Sequence, residues 1–164
     1  MHNFYNLNPN HNTSNSSSYS SITLELNIPL TNEDFHKYLS NYLENPTEEL
    51  QNTLGAHLNN MHYLLGILPN ESSSNDSLTL SVGSELNLLI CSNDNREVFL
   101  PIFTDDIALK NWYSDPINTL SVSAEWLWKF ILRCNNYAGV VINPDTISWC
   151  IDLEQLQSLL DDIN

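Results

Sequence analysis

The chain has 164 residues, a length typical of one domain, and at this size folding removes roughly 70% of the unfolded chain's surface from water. Its 20 acidic and 5 basic residues give a formal net charge of −15. Nucleic acids and anionic membranes are bound through clustered Lys and Arg side chains, so this charge argues against both as partners. A basic protein partner is electrostatically favoured instead, because opposite charge steers its approach.

The N-terminus and the cysteines indicate a compartment. Residues 1–20 are rich in Asn and Ser and carry no formal charge, which predicts a disordered arm before a folded domain over 21–164. Cys91, Cys134 and Cys150 lie far apart among apolar residues, a pattern typical of reduced, buried thiols inside a cell. No secretory signal is visible, and no apolar stretch reaches the ~18 residues of a membrane span. We therefore expect a cytoplasmic protein.

Short strand patterns alternate with amphipathic helical patterns along the rest of the chain. In chain order the predicted strands are 22–30, 63–68, 78–82, 86–91, 98–103, 119–122, 139–142 and 146–150. The predicted helices begin near Asn32, Thr47, Thr104, Ser123 and Asp152, the last with Gln155 completing a capping box. The pattern predicts a single α+β domain, with a mixed or antiparallel sheet of about five to six strands flanked by helices.

Two adjacent carboxylates follow the strand at 98–103. We predict that Thr104 is the N-cap of the next helix and that Asp105 and Asp106 occupy its first turn, where the helix dipole favours them. Adjacent helical residues project about 100° apart, so the pair cannot share one proton as a catalytic dyad does. The neighbouring residues offer no further oxygen ligands for a metal ion. We interpret the pair as a helix start.

Catalytic and cofactor signatures are absent from the sequence. His57 and His62 are five residues apart, which does not match the i,i+4 spacing of helical zinc ligands. The four glycines are too dispersed for a phosphate-binding loop, and no nucleophile motif is present. We predict no catalytic residues, no cofactor and no metal site.

One tryptophan is a candidate for surface recognition. Trp126 matches the predicted core stripe of its helix, with Phe130 and Ile131, so Trp128 is expected to be exposed. Exposed Trp is enriched at binding sites, although covering a strand edge is an equal alternative. The predicted binding surface comprises Trp128, Asp105, Asp106, Asn143 and Asp145.

The stretches FLPIFTDDIALKNW and GVVINPDTISWCIDLEQLQSL resemble the N-terminal domain of the SseB family of bacterial proteins. The features that carry the resemblance are Pro101, Phe103, Thr104 and Trp112, followed by an aliphatic-Asn-Pro turn at 142–144. The similarity extends over roughly residues 44 to 161. It implies a cytosolic α+β domain without established enzymatic residues, and the family name records a phenotype of enhanced serine sensitivity.

Two functional hypotheses follow. The first is a non-enzymatic protein-binding module; in its sharper form it neutralises a basic partner, as an immunity protein neutralises a toxin. The alternative is a small-molecule sensor or an enzyme connected with amino-acid metabolism, specifically serine. That alternative requires a pocket lined by convergent polar groups, for example Thr104, Asp105, Asn143 and Asp145.

Overall fold

The computed structural model describes residues 21–69 and 76–164, together with the backbone of 4–6. The strands are β1 Phe4–Asn6, β2 Ile22–Glu25, β3 His62–Ile67, β4 Ser77–Leu80, β5 Glu85–Asn87, β6 Cys91–Ser92, β7 Val98–Ile102, β8 Asn118–Ser123, β9 Gly139–Ile142 and β10 Trp149–Asp152. The helices are α1 Glu33–Glu44, α2 Glu48–Asn60, α3 Asp106–Trp112, α4 Ala124–Arg133 and α5 Leu153–Asp161.

The strands form one four-stranded sheet and three pairs. The four-stranded sheet has the order β10-β9-β7-β6, and only its central β7–β9 pairing is parallel. The pairs β1–β5, β2–β4 and β3–β8 are antiparallel. Bridges from Leu64 to Phe103 and from Ile67 to Leu88 link β3 to the neighbouring segments. The predicted α+β class with mixed pairing is confirmed, although several small sheets replace the one sheet of the prediction.

The prediction of a disordered arm concerns residues 1–20, which lie outside the described residues except for β1. A large core is formed by side chains of β3, β4, β5, β7, β8, β9 and β10, with α1, α2, α4 and α5 packed over it. A smaller cluster of Leu64, Phe103, Ala108 and Leu109 places α3 against β3. Among the described residues, no helix has the length and apolar character needed to cross a membrane.

Pro101 lies inside β7, although proline has no N–H to donate to a neighbouring strand. Phe99 pairs with Cys91 of β6, and Phe103 bonds through both backbone groups to Leu64 of β3. Because backbone groups alternate along a strand, Pro101 faces the same side as these two residues. It lies between the end of β6 and the bridge to β3, so its missing N–H leaves no partner strand unpaired.

At three of the predicted helix starts, the predicted residue caps the helix through its side chain in the structure. The side-chain oxygens of Thr47, Ser123 and Asp152 each accept a hydrogen bond from a backbone N–H in the first turn of the following helix. Asp152 and Gln155 form the predicted capping box. The prediction that Thr104 caps α3 is wrong by one residue, because the carboxylate of Asp105 accepts from Ala108 N–H instead.

The prediction that Trp128 is exposed is wrong. Trp128 is 0% exposed, and Trp126 is the half-exposed ring at 39%. The buried residues of α4 are Ala124, Leu127, Trp128, Phe130 and Ile131. Four of them, Ala124, Leu127, Trp128 and Ile131, follow the i, i+3, i+4, i+7 spacing of one helical face, and the predicted stripe left out the first three of these. Trp126 stacks on Phe130 instead, on the flank of the helix.

The three cysteines are free thiols, as predicted, but they are less buried than predicted. Cys91 and Cys134 are half-buried and Cys150 is exposed, because residues of β10 alternate between the core and the outer face of the sheet. Burial, with a smaller contribution from Cys150, raises the pKa of Cys91 to about 11. Its thiol therefore stays protonated and unreactive at neutral pH.

Candidate functional site

The ends of β7 and β9 bring together residues that are far apart in the chain. The two strands are parallel neighbours with Ile102 opposite Ile142, so their carboxyl ends meet at one edge of the sheet. Thr104 follows the first strand and Asn143 follows the second. In sheets with parallel strands, ligand sites usually lie at this edge. The hydrogen bonds among its residues therefore decide whether their polar groups are available to a ligand.

Thr104 and Asn143 are joined by two hydrogen bonds. The Thr104 N–H donates to Asn143 Oδ1 at 3.0 Å, and Asn143 Nδ2 donates to Thr104 Oγ1 at 2.8 Å. Both residues are buried. A buried polar group without a partner costs roughly 1–3 kcal/mol, so this reciprocal pair fixes the distance between the two strand ends.

Asp105 and His36 complete the group, which we call the Thr104 cluster: His36, Thr104, Asp105 and Asn143. Asp105 Oδ1 accepts from Ala108 N–H at 2.8 Å, and its Oδ2 lies 3.1 Å from Nε2 of His36 on α1. Partial burial alone raises the pKa of Asp105. The bonds from Ala108, His36 and Thr104, with the positive charge on His36, outweigh this and hold that pKa below its usual value.

The cluster has the residue types of a hydroxyl–imidazole–carboxylate relay but not its geometry. In such a relay the imidazole uses one ring nitrogen for the hydroxyl and the other for the carboxylate. Here the same atom, His36 Nε2, lies 3.2 Å from Thr104 Oγ1 and 3.1 Å from Asp105 Oδ2. The Thr104 hydroxyl donates to Asp105 Oδ2 at 3.2 Å and accepts from Asn143. A hydroxyl has one donor and two acceptor positions, so these three contacts saturate it.

Asp106 and Asn32 connect the start of α1 to the same junction. Asp106 Oδ2 accepts from the Leu30 N–H at 3.2 Å. Asn32 precedes α1 but makes no capping bond with its side chain. Its Nδ2 donates instead to the carbonyls of Thr104 and His62. The two carboxylates after β7 therefore tie backbone segments together.

Asn143 also organises the turn after β9. It has a left-handed φ of 45°, a conformation that Asn tolerates better than most residues. Its carbonyl accepts from the N–H groups of Thr146, Ile147 and Ser148 at 2.9 to 3.1 Å. The bond from Thr146 closes a turn with Pro144 in its second position. Asp145 is exposed in this turn.

The five residues of the predicted binding surface do not form one surface. Asp105 and Asn143 meet in the Thr104 cluster, where Asn143 is buried, and Asp106 lies beside them. Trp128 is buried under α2. The sequence analysis missed His36, since 69 positions separate it from Asp105 and no local pattern links them. Among the described residues, no group of three or more His, Cys, Asp or Glu could hold a metal ion.

Two clefts open on the surface, and the first lies beside the Thr104 cluster, since Asn32 contributes to its lining. The first, of about 490 Å³, lies at the start of α1 and is lined by residues that include Glu33, His57, Asn60 and His62. The other, of about 740 Å³, is a groove between α2, β10 and α5. Neither is lined by Thr104, Asp105, Asn143 or Asp145.

The structure is a small α+β domain in which the polar residues after β7 and β9 hydrogen-bond to one another. The chain belongs to the SseB family, because the model of the SseB protein N-terminal domain matches residues 36–154, more than half of its length. The match includes the whole Thr104 cluster. The comparisons found no match among curated proteins and none among solved structures.

Proposed function

We propose that this protein is a non-enzymatic protein-binding module of the bacterial cytosol whose partner is a basic protein. The observation that carries the proposal is the excess of carboxylates without a cationic neighbour. All of the chain's 20 acidic residues except Glu71 lie in the described part, yet only two pairs of opposite charge occur there: Lys129–Glu125 and, when the imidazole is protonated, His36–Asp105. The uncompensated negative potential attracts positively charged surfaces and speeds their association.

The state of the Thr104 cluster supports the non-enzymatic part of the proposal. A nucleophilic hydroxyl needs a base beside it and an open approach for the substrate. Thr104 is 0% exposed, and its three hydrogen-bonding positions are used within the protein. Its role is therefore to hold β7, β9, α1 and α3 together.

A more specific form of the proposal is that the protein neutralises its partner, in the manner of an immunity protein. A strongly acidic surface that covers a basic active surface blocks that surface directly. Co-expression provides the test: the isolated partner should inhibit growth when expressed alone, and growth should recover when this chain is present. A partner that is harmless alone contradicts this form while leaving the binding function in place.

Affinity capture tests the binding function. The full chain, immobilised on beads, is incubated with a lysate of its own cells at low salt and at about 0.5 M salt, where the Debye length is only a few ångströms. We expect one or more basic proteins to be enriched at low salt, and we expect their binding to be weaker at high salt. Re-binding of the purified candidate must reproduce this salt dependence. No enrichment at low salt, or only acidic proteins, contradicts the proposal.

The cleft at the start of α1 favours a second candidate, a sensor or enzyme that takes a small molecule such as serine. Its lining includes the polar side chains of Glu33, His57, Asn60 and His62. A ligand at 100 times its Kd raises the free energy of unfolding by about 2.7 kcal/mol, which a thermal-shift screen detects. Stabilisation by serine, another amino acid or a nucleotide favours this candidate; no shift across the panel eliminates it for those ligands.

A further inference from the structure

We propose that the groove between α2, β10 and α5 binds an amphipathic basic helix of the partner, an inference that rests on the proposed binding function. The groove has an apolar floor to which the half-buried side chains of Tyr42, Trp149, Leu159 and Ile163 contribute. Exposed polar residues of α2 and α5, such as Gln51 and Gln155, stand along its sides. An apolar helix face lying in a groove with a polar rim is a common mode of peptide recognition.

The sides of the groove are held at a fixed distance. Asn59, on α2, accepts from Trp128 Nε1 at 2.9 Å and donates through its Nδ2 to the Leu159 carbonyl of α5 at 2.8 Å. The bond from Asn59 to Leu159 joins α2 directly to α5, so the two helices cannot move apart at this point without breaking it. The groove is therefore preformed, which lowers the entropic cost of binding.

The charges around the groove select the partner. The chain segments that build it, 41–60 and 149–164, contain no Lys or Arg. Their acidic residues are Glu44, Glu48, Glu49, Asp152, Glu154, Asp161 and Asp162. Asp162 lines the groove itself. A groove with apolar residues and Asp162 in its lining, and with no Lys or Arg there, fits a segment that carries Leu-type residues on one face and Lys or Arg on the other.

Other occupants fit less well. Residues 1–20 have no formal charge, so they do not match the acidic flanks. A second copy of the chain would bring its own acidic surface against the same carboxylates, which is repulsive. The nine residues of α5 extend about 14 Å along the groove, so a partner helix of roughly three turns spans it.

Gly55 provides a way to fill the groove without disturbing the fold. It lies on α2 and lines the groove, and a Cβ built on it meets no atom within 4 Å. A larger side chain therefore enters open space, and helix propensity favours almost any residue over Gly at this position. Gly55→Gln keeps the net charge unchanged, so it separates occlusion of the groove from long-range attraction.

The binding probe is a synthetic three-turn peptide with Leu on one helical face and Lys on the other, followed by fluorescence anisotropy with the full chain. Its control is the same peptide with Glu in place of Lys. We expect only the basic peptide to bind, and Gly55→Gln to weaken it by about tenfold, or 1.4 kcal/mol. The matched control Ser40→Gln, on the exposed side of α1, should stay within about twofold. In 15N-resolved spectra, the indole N–H signal of Trp149 should shift during titration.

Charge variants supply an independent measurement. Asp162→Asn removes a carboxylate at the groove, and Asp94→Asn removes one from the exposed connection between β6 and β7. We expect the first to weaken the basic peptide more than the second, although both change the net charge equally. Equal effects indicate attraction to the whole surface and overturn the groove as the binding site.

The outcomes distinguish the groove from the proposed function. Unchanged binding of the basic peptide to Gly55→Gln overturns the groove and leaves a basic partner in place. Failure of the unmodified protein to bind any basic peptide or protein overturns both. Equal binding of the acidic peptide overturns the inferred basic partner. The same holds if the unmodified chain elutes as a dimer and Gly55→Gln elutes as a monomer, because a second copy of the chain would then occupy the groove.

Discussion

The indole N–H of Trp128 donates a 2.9 Å hydrogen bond to Oδ1 of Asn59, 69 residues earlier in the chain. The largest fully buried side chain of the described core is thereby joined to α2, and Asn59 continues the connection to the Leu159 carbonyl on α5. One amide side chain thus satisfies a buried donor and an acceptor on two different helices. This arrangement makes Asn59 important for stability although it is not fully buried.

Asn59→Ala should destabilise the protein by about 1–3 kcal/mol, because it leaves the buried indole N–H of Trp128 without a partner. The free energy of unfolding from denaturant titration measures the loss. Asn60→Ala is the matched control: the exposed Asn60 bonds only to the Ala56 carbonyl of its own helix, so a change within about 0.5 kcal/mol is expected. Equal effects of the two variants would contradict a special role for Asn59.

Thr104→Val should cost about 1–3 kcal/mol of unfolding free energy, since it keeps the side-chain shape but leaves Asn143 Nδ2 buried without an acceptor. Thr104→Ser retains the hydroxyl and should recover most of that loss. Chemical denaturation measures both variants. If Thr104→Val left stability unchanged but abolished a biological activity, the hydroxyl would have a chemical role that its saturated bonding argues against.

Asp105 should contribute to the acid sensitivity of the fold. Its pKa in the folded protein lies below the usual value, so it binds a proton more readily in the unfolded chain. Its stabilising contribution is complete above about pH 4 and is lost as the pH falls through the folded-state pKa. Asp105→Asn should flatten the fall in melting temperature below about pH 4 relative to the unmodified chain.

The control for that experiment is Asp94→Asn, which removes one negative charge from an exposed connection. It should leave the steepness of the acid transition close to that of the unmodified chain. A melting temperature of Asp105→Asn that fell with acid as steeply as that of the control would show that the contacts to Ala108 and His36 do not stabilise the ionised carboxylate.

Two glycines should respond in opposite directions to replacement by Ala. Gly55→Ala should raise the free energy of unfolding by about 0.5–1 kcal/mol, because an added Cβ at this helical position meets open space. Gly139→Ala should lower it by several times that amount. Gly139 has a φ of +155°, and a Cβ there would collide with the Ile151 carbonyl oxygen of β10. Thermal or chemical unfolding checks both signs, and a loss of stability in Gly55→Ala would contradict the open wall of the groove.

The fold class and most elements could be predicted because their signals are local. Strand 139–142 has the predicted bounds, and the caps Thr47, Ser123 and Asp152 act as predicted. Each depends on residues within one turn or one strand. The α+β class then follows from the order of the elements.

The candidate site was less predictable because its contacts are long-range. The junction depends on a parallel pairing of β7 with β9 and on the packing of α1, which no spacing in the chain encodes. The wrong prediction that Trp128 is exposed has a different cause. Trp126 and Trp128 lie on adjacent possible stripes of α4, and the choice between them rests on whether the small Ala124 is counted as part of the buried face. Tertiary packing decided it in favour of Trp128.

The position of Pro101 has a consequence for which residues the sheet can accept there. Between the end of β6 and the bridge to β3, β7 has a short backbone stretch that faces away from β9. Pro101 is buried, so any other residue would place a backbone N–H in the interior where β6 offers it no paired residue. Proline avoids the free-energy cost of an unsatisfied amide at this position.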